Sequence, residues 1–272
     1  MKNLKLLFVL FLGIGLTFAS CKKDDDEGNE DNPTPEAKTC YIVKETADDN
    51  SFHKMVYNTE NLITEYNEYD KDGNLAENNK MTYSDDKVSL IETYDGTSLK
   101  SKIVYKYIAD RIDSAIIYID TLGTMKRVGF YKYTYNADKI SNISVYFELF
   151  GQMLEVSKNQ YIYSGDNVSE VTIYEIGGSL ALELSYTETY EYDDKINPYR
   201  NIGINDIISD PAFMSKNNFT KKTVKDDSGK IDNEESYEIS FEYNSDNYYT
   251  KYVRTSFDNS KTITYTVEYE CK

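Results

Sequence analysis

Apolar and polar residues alternate along most of this chain, and the alternation recurs around a series of tyrosines. The pattern is plain in 131–135 (Tyr-Lys-Tyr-Thr-Tyr) and again from Ile263 to Cys271. Successive side chains of a β-strand point to opposite faces, so an alternating segment places its apolar residues on one face. Few stretches repeat with the helical period of about 3.6 residues, and tyrosine, threonine, isoleucine and valine favour strands. The pattern therefore predicts an all-β protein.

One sequence module repeats seven times, and an anchor tyrosine marks each copy. The anchors are Tyr57, Tyr83, Tyr107, Tyr135, Tyr163, Tyr192 and Tyr243. A large apolar residue stands two positions before each anchor, at Met55, Met81, Tyr105, Tyr133, Tyr161, Tyr190 and Phe241. In six copies an acid follows three positions after the anchor, at Glu60, Asp86, Asp110, Asp138, Asp166 and Asp246. Another apolar residue follows at Leu62, Val88, Ile112, Ile140, Val168, Ile196 and Tyr248. A fixed period of this kind indicates a repeat architecture.

Each module has the features of a β-hairpin. The short polar residues after an anchor, as in Asn136–Lys139, favour a tight turn. The apolar residues Ile140, Ile143 and Tyr146 of the following strand break strict alternation, which indicates a bulge or a change of face. Seven hairpins predict about fourteen strands in an antiparallel meander, strongly curved or closed into a barrel around its apolar face. The periodic tyrosines are interpreted as core residues first and as ligand-stacking residues second.

One insertion interrupts the period between Tyr192 and Tyr243. Its residues, about 197–218, include Ile202–Pro211, which shows no alternation and ends at a proline. We expect a short helix or an irregular plug over an opening of the sheet, with strand pattern resuming near Phe219. Because the period fails here, this segment is where a functional site is expected.

The first twenty residues are interpreted as a targeting segment that is not part of the folded domain. Lys2 and Lys5 precede an apolar run that ends at Phe18-Ala-Ser-Cys21, which is typical of a signal peptide over residues 1–20. The motif resembles a bacterial lipobox, in which Cys21 receives acyl chains and attaches the protein to a membrane. An ordinary cleaved signal with a chance cysteine is the alternative. Residues 21–38 are charged and poor in apolar residues, so they predict a disordered acidic tether before the β-repeat domain at 39–272.

The formal net charge is −17, and loss of Lys2 and Lys5 with the signal makes it −19. Nucleic-acid binding needs a basic surface, so nucleic acid is not an expected partner. Because the acids are scattered over turns and the polar face, we interpret them as a solvated surface.

Cys40 opens the first strand and Cys271 is the penultimate residue. Two cysteines that remain after Cys21 in an oxidising compartment predict a disulfide between the two ends of the sheet. Two unpaired buried thiols are the alternative. The alternation from Ile263 also places Cys271 on the buried face.

No catalytic motif appears in the chain. His53 is its one histidine, too few for a zinc site or a Ser/His/Asp arrangement. The segment Asp70–Asn74 lacks the acids of a calcium loop and is better explained as a turn. A carboxylate pair for sugar hydrolysis needs a set separation that sequence does not reveal. We therefore predict no enzymatic activity, no cofactor and no metal.

Three segments carry a family resemblance: 135–143 (Tyr-Asn-Ala-Asp-Lys-Ile-Ser-Asn-Ile), Asp194–Tyr199 and Ser215–Lys221. With Cys21 and the tether, the chain resembles a Bacteroidota lipoprotein family of unknown function with a porin-like fold. Its hairpins also loosely resemble the YD repeats of large secreted shells, as in Tyr69–Leu75. Lys23 followed by acids is similar to the surface-export signal of Bacteroidota lipoproteins. The resemblance implies a barrel and an address at the outer membrane, facing outward or toward the periplasm, but no activity.

Three functions remain open at this point. The first is a non-enzymatic, lipid-anchored binding module for a glycan, peptide or protein, with ligand-binding residues unknown. The second is a carrier of a hydrophobic ligand, or a structural envelope scaffold. The third is a glycan hydrolase with an unrecognised carboxylate pair.

Overall fold

The computed structural model describes residues 38–202, 204, 207 and 209–272, which form a closed β-barrel. The predicted signal peptide, the predicted acylation site Cys21 and the predicted tether up to residue 37 lie outside the described residues. Across those same ranges, no helix is long and apolar enough to cross a membrane.

The barrel has sixteen strands in the described residues, each antiparallel to its sequence neighbours, and β1 closes the ring against β16. The strands are β1 (Cys40–Ala47), β2 (Phe52–Tyr57), β3 (Ile63–Tyr69), β4 (Leu75–Ser84), β5 (Lys87–Asp95), β6 (Ser98–Ile108), β7 (Arg111–Thr121), β8 (Thr124–Asn136), β9 (Lys139–Leu149), β10 (Gln152–Ser164), β11 (Asn167–Ile176), β12 (Leu182–Ile196), β13 (Asn217–Asp226), β14 (Ile231–Tyr243), β15 (Tyr249–Ser256) and β16 (Thr262–Cys271). The predicted antiparallel meander is confirmed, but the number of strands was wrong by two. Counting anchors omits β1, which precedes the first anchor, and β16, which follows the last.

The wall separates two kinds of side chain. One row of paired positions across β6 to β9 is Tyr105, Ala115, Tyr131 and Val145, and it faces the core inside the barrel. The neighbouring row of paired positions points out of the barrel and consists of Lys106, Ser114, Lys132 and Ser144. A membrane-spanning barrel carries an apolar band on its outer face. This part of the wall has the opposite arrangement, because its apolar row points inward.

Each anchor tyrosine lies beside a shift in strand register. The shift next to Tyr135 pairs Tyr135 with Ile140 but Thr134 with Asn142, so Ser141 is the extra residue of a bulge. Equivalent shifts adjoin all seven anchors. The predicted bulge is therefore confirmed. The apolar residues two positions before six anchors are buried, as predicted, and Phe241 is partly buried against the same core.

The anchor hydroxyls explain why the repeat uses tyrosine rather than phenylalanine. The hydroxyl of Tyr83 donates to the carbonyl of Ile63 at 2.7 Å, and that of Tyr192 donates to the carbonyl of Val168 at 2.6 Å. Similar bonds join Tyr57 to Ile42, Tyr107 to Val88, Tyr135 to Ile112 and Tyr269 to Tyr249. A bulge displaces backbone groups from the ladder, and a buried carbonyl without a donor is costly. The anchor of one hairpin therefore satisfies the backbone of the hairpin before it.

The turns that follow the anchors define one end of the barrel, which we call the anchor rim. The predicted turn acids there form ion pairs from hairpin to hairpin: Lys87–Asp110 at 2.7 Å, Arg111–Asp138 at 2.5 Å and Lys139–Asp166 at 3.2 Å. The other turns define the opposite rim. Asp70 lies in one of them and accepts the backbone N–H groups of Asp72 and Asn74, which confirms the predicted turn.

The insertion enters the barrel from the anchor rim, as a plug. It contains a 3₁₀ turn (Pro198–Asn201) and a one-turn helix, α1 (Pro211–Met214), and the described Ile202, Ile204 and Ile207 join the core. Asn197 pins the plug, because its side-chain amide donates to the carbonyls of Ala212 and Ser215. The predicted plug is therefore present, and it lies in the interior of the barrel. Ile196 was predicted to be an apolar core position but is 50% exposed, since the insertion begins directly after it.

Cys40 and Cys271 form a disulfide directly across the seam between β1 and β16. The predicted pairing of the two ends of the sheet is confirmed. Cys40 is fully buried, but Cys271 is exposed, so its predicted place on the buried face was wrong. Cys271 is the last residue of β16, whereas Cys40 across the seam is covered by Tyr248 and Asn201, whose side chains bond to its backbone.

Candidate functional site

A cavity of about 250 Å³ lies inside the barrel between the plug and the wall formed by β1–β3 and β13–β16. Aromatic rings make up much of its lining: Tyr66, Tyr199, Phe213, Phe219, Tyr237, Phe241, Tyr249, Tyr252 and Tyr265. Polar side chains join them at Glu45, His53, Asn197, Asp210, Asn218 and Arg254. Apolar pockets with a few polar groups are the usual form of a small-molecule site.

Glu45 is the acid that the aromatic lining encloses most tightly, with 4% of its surface exposed. It accepts hydrogen bonds from the hydroxyls of Tyr199, at 2.6 Å, and Tyr252. Burial and the neighbouring Glu45 carboxylate raise the pKa of both tyrosines well above the usual value. These hydroxyls therefore keep their protons and remain donors, which is how a carboxylate is tolerated inside an apolar barrel.

A second charged group extends from the cavity into the neighbouring wall. Lys222 and Glu188 form a buried ion pair at 2.6 Å, and the hydroxyl of Tyr190 also donates to Glu188. Burial is the largest single influence and lowers the pKa of Lys222, but the charge and hydrogen bond of Glu188, together with Tyr237 and Asp210, make the net change upward. Lys222 is thus held as a cation that neutralises Glu188.

Asp210 also lines the cavity, but its surroundings differ from those of Glu45. It caps α1 by accepting the backbone N–H of Ala212 at 2.8 Å. The residue is exposed by surface area but faces the cavity inside the barrel, where loss of hydration raises its pKa and the Glu188 charge adds to the rise. The bond from Ala212 and the charge of Lys222 act in the opposite direction. Asp210 therefore accepts a proton more readily than an ordinary aspartate.

The rings of the cavity wall are packed against one another. Phe241 lies 5.0 Å from Tyr249 between ring centroids, and Tyr252 stacks on Tyr265 at 4.6 Å. The guanidinium of Arg254 lies 5.1 Å from the centre of the Tyr237 ring. Burial raises the pKa of Tyr237 to about 12. Such contacts hold the aromatic faces in place before any ligand arrives.

The wall beside the cavity is weakly paired. β13 and β14 are both fully described, and no backbone pairing joins them between the start of β13 at Asn217 and the pair Lys221–Glu238. An outer groove of about 550 Å³ lies at this place and includes Thr220 and Ser240. Ile239 lines both the groove and the inner cavity, so the two spaces approach each other at this residue.

Sequence reasoning located the site only in part. The insertion supplies Tyr199, Asp210 and Phe213, as expected for the segment where the period fails. The single histidine, His53, also lines the cavity, although nothing in the sequence distinguished it. Glu45, Glu188 and Arg254 were not singled out. A usable signal existed for Glu188, because it occupies an apolar row between Tyr186 and Tyr190.

Within the described part of the chain, no group of three or more His, Cys, Asp or Glu side chains could hold a metal ion. The side chains that line the cavity offer hydrogen bonding, ring stacking and charge pairing to a ligand.

Comparisons with known proteins identify the fold. No protein-family model matches the sequence, and no curated protein matches it either. A porin-like protein from Bacteroides vulgatus ATCC 8482 superposes with a TM-score of 0.55 at 12% identity, over 85% of this chain and 98% of that one. A porin-like protein from Bacteroides uniformis ATCC 8492 gives 0.54 at 14% identity, over 84% and 98%. This chain therefore has the fold of porin-like proteins from Bacteroides, as the family resemblance implied.

Proposed function

We propose that this protein is a lipid-anchored binding module of the cell envelope, without enzymatic activity, that holds a small saccharide unit in its barrel cavity. The lipid anchor is Cys21, and the proposed location is the outer membrane with the barrel at the cell surface. The observation that carries the proposal is the cavity itself, in which aromatic faces surround Glu45, Asn218 and Arg254.

The chemistry of the lining supports a saccharide over other small molecules. A sugar ring has apolar C–H faces that pack on aromatic rings, and hydroxyls that bond to carboxylate, amide and guanidinium groups. Tyr249 and Phe241 supply faces, and Arg254 supplies donors. A purely hydrophobic cargo would displace water from the Arg254 guanidinium and supply no hydrogen bond in return, which weakens the carrier alternative.

The size of the cavity limits the ligand. A volume of about 250 Å³ is below the range of roughly 300–1,000 Å³ that encloses drug-sized ligands. One sugar ring fits this space, whereas a long glycan would have only its end inside. We therefore expect recognition of a terminal or free monosaccharide unit.

The test is a binding screen with purified protein carrying Cys21→Ser, against a panel of neutral, acidic and amino sugars. The chain has no tryptophan, so tyrosine fluorescence reports directly on rings such as Tyr252 and Tyr265. Once a sugar that binds is found, Arg254→Ala is expected to lower the affinity for it about tenfold or more, because one charged hydrogen bond is lost. Arg127→Ala is the matched control, since Arg127 lies away from the cavity, against Phe130.

The same screen distinguishes the alternatives. Displacement of a bound fluorescent fatty acid, with no sugar response, would establish the carrier instead. Release of reducing ends from an oligosaccharide would establish a hydrolase. Sugar binding that Arg254→Ala leaves unchanged would place the site elsewhere and contradict the proposal.

A further inference from the structure

Three consecutive hairpins on the opposite rim end in exposed apolar side chains. Leu122 is 100% exposed, Phe150 is 89% exposed and Leu180 is 55% exposed. They occupy the turns between β7 and β8, β9 and β10, and β11 and β12. We call these three turns the apolar tips.

The backbone of the apolar tips makes these residues unusual. Leu122, Phe150 and Leu180 have φ values of 55°, 54° and 61°, the left-handed region. In a two-residue hairpin turn that region favours asparagine, aspartate or glycine, and a bulky apolar residue there is strained. Gly123 and Gly151 follow Leu122 and Phe150 with positive φ, as this type of turn requires. The tips thus carry a conformational cost and an exposure cost together.

The other five turns of the opposite rim are mainly polar. They contain Asp48–Ser51, Asp70–Asn74, Gly96-Thr97, Asp227–Lys230 and 257–261, and the last of these includes Phe257, which is half-buried. One side of the rim is therefore apolar and the remainder is polar and largely acidic. Adjacent hairpins lie two strand spacings apart, about 10 Å, so the three tips span roughly 20 Å along the rim.

We propose that the apolar tips insert into the surface of a lipid bilayer, as a second membrane contact that goes beyond the ligand cavity. The contact is one-sided, because the acidic turns on the rest of the rim are strongly hydrated. A net charge of −17 does not favour attraction to anionic headgroups. Insertion of the leucine and phenylalanine side chains supplies the affinity, and the contact is insensitive to salt.

The chain outside the structure makes a bilayer the fitting occupant. Cys40 lies at the anchor rim, and a stretch of chain from residue 21 to residue 39 spans at most roughly 60 Å. The longest strands beside the tips, of 13 to 15 residues, measure about 45 to 50 Å. An anchor at Cys21 therefore permits the barrel to lie along the membrane with its apolar tips in the same leaflet.

The experiment uses residues 22–272, which lack both the apolar signal segment and the acylation site, with neutral phosphatidylcholine vesicles in a flotation assay. We expect binding that is unchanged between low and high salt. In the variant Leu122→Asn/Phe150→Asn, we expect vesicle affinity to fall by about tenfold or more, since two apolar side chains are lost. Thermal stability should be equal or higher, because asparagine suits the left-handed turn.

The matched control is Ala137→Asn, which makes the same kind of change at φ 51° in a hairpin turn of the anchor rim. It is expected to leave vesicle binding unchanged. An environment-sensitive fluorophore on Thr124→Cys should shift to the blue on vesicles, whereas one on Asn259→Cys, at a polar turn of the same rim, should not.

Three results would overturn the proposal. One is the absence of vesicle binding by residues 22–272. Another is binding that the double asparagine variant retains in full. The third is self-association through the tips, seen as a concentration-dependent dimer that the double variant abolishes, with no binding to vesicles.

Discussion

The hydroxyl of Tyr107 donates to the backbone carbonyl of Val88 at 2.9 Å, across the boundary between two hairpins. The same kind of bond is made by four other anchors, Tyr57, Tyr83, Tyr135 and Tyr192, whereas the hydroxyl of Tyr243 donates to the Asp193 carboxylate. A tyrosine repeat thus encodes both an apolar ring for the core and a donor for the neighbouring bulge.

Replacement of Tyr107 by phenylalanine tests this role. The ring stays, but the Val88 carbonyl loses a donor, so Tyr107→Phe is expected to lower the free energy of unfolding by about 1–3 kcal/mol. Urea denaturation followed by circular dichroism measures the change. Tyr118→Phe is the control, because Tyr118 packs against Lys102 on the wall and should change stability little. Equal effects of the two changes would contradict the role of the anchor hydroxyl.

The buried pair Lys222–Glu188 should be far more sensitive than a surface pair of equal length. Lys222→Met leaves the Glu188 carboxylate buried without its cation, and we expect a loss of about 3–5 kcal/mol. Lys251 and Glu242 are also 2.6 Å apart but more exposed, so Lys251→Met should cost about 1 kcal/mol or less. Chemical denaturation compares the two. The double change Lys222→Met/Glu188→Gln should recover part of the stability, and failure to recover any would contradict the charge argument.

Asp210 should make stability fall as pH rises. Its pKa in the folded protein is raised, mainly by loss of hydration, so from the ordinary value of 3.8 upward the unfolded chain releases this proton first. The contribution of this proton to the free energy of unfolding is therefore fully present at low pH, and it is lost as the pH rises toward neutral. The melting temperature of Asp210→Asn should therefore exceed that of the wild type at pH 7, and the gap should close near pH 4.

Asp258 provides a control of opposite sign. Hydrogen bonds from Ser256 and Ser260 lower its pKa to about 2. Its contribution is present at neutral pH and is lost as pH falls through that value, so Asp258→Asn should melt below the wild type at pH 7. A melting-temperature gap for Asp210→Asn that does not vary with pH would exclude the titration.

The disulfide should stabilise the barrel by constraining the unfolded chain. Cys40 and Cys271 are 231 residues apart, and the chain-entropy model gives up to about 5 kcal/mol for a loop of this size. Cys40→Ser/Cys271→Ser should therefore unfold at lower denaturant while keeping the β-rich circular dichroism spectrum. A reducing agent should shift the wild type by the same amount and leave the double variant unchanged. An unchanged midpoint in the double variant would contradict the prediction.

The hairpin repeat was predictable because periodicity is a local property of the chain. Tyr133, Tyr161 and Tyr190, each two positions before its anchor, show that each module repeats its core residues at short range, and short-range alternation determines which face is buried. The bulge after Tyr135 was predictable for the same reason, since Ile140 and Ile143 depart from a two-residue period.

The candidate site was predictable only where a local signal marked it. The failed period located the plug that carries Tyr199 and Asp210, but Glu45 meets Tyr252 through a fold contact between residues 207 positions apart. No local pattern contains that contact. A charged residue on an apolar row, such as Glu188, is only a weak sign of a site. Its role becomes clear in the fold, where Lys222 lies beside it.

The seam between β16 and β1 has the parts of one more module, divided between the two ends of the chain. Tyr269 acts as its anchor by donating to the carbonyl of Tyr249, and Ile42 receives the hydroxyl of Tyr57. The disulfide stands where the other modules have a turn or, in the module of Tyr192, the plug. Folding can therefore proceed hairpin by hairpin, but β1 can pair with β16 only when the last strand is available. Closure of the ring is then the final step of folding, and oxidation of the two cysteines fixes it in place of a turn encoded in the sequence.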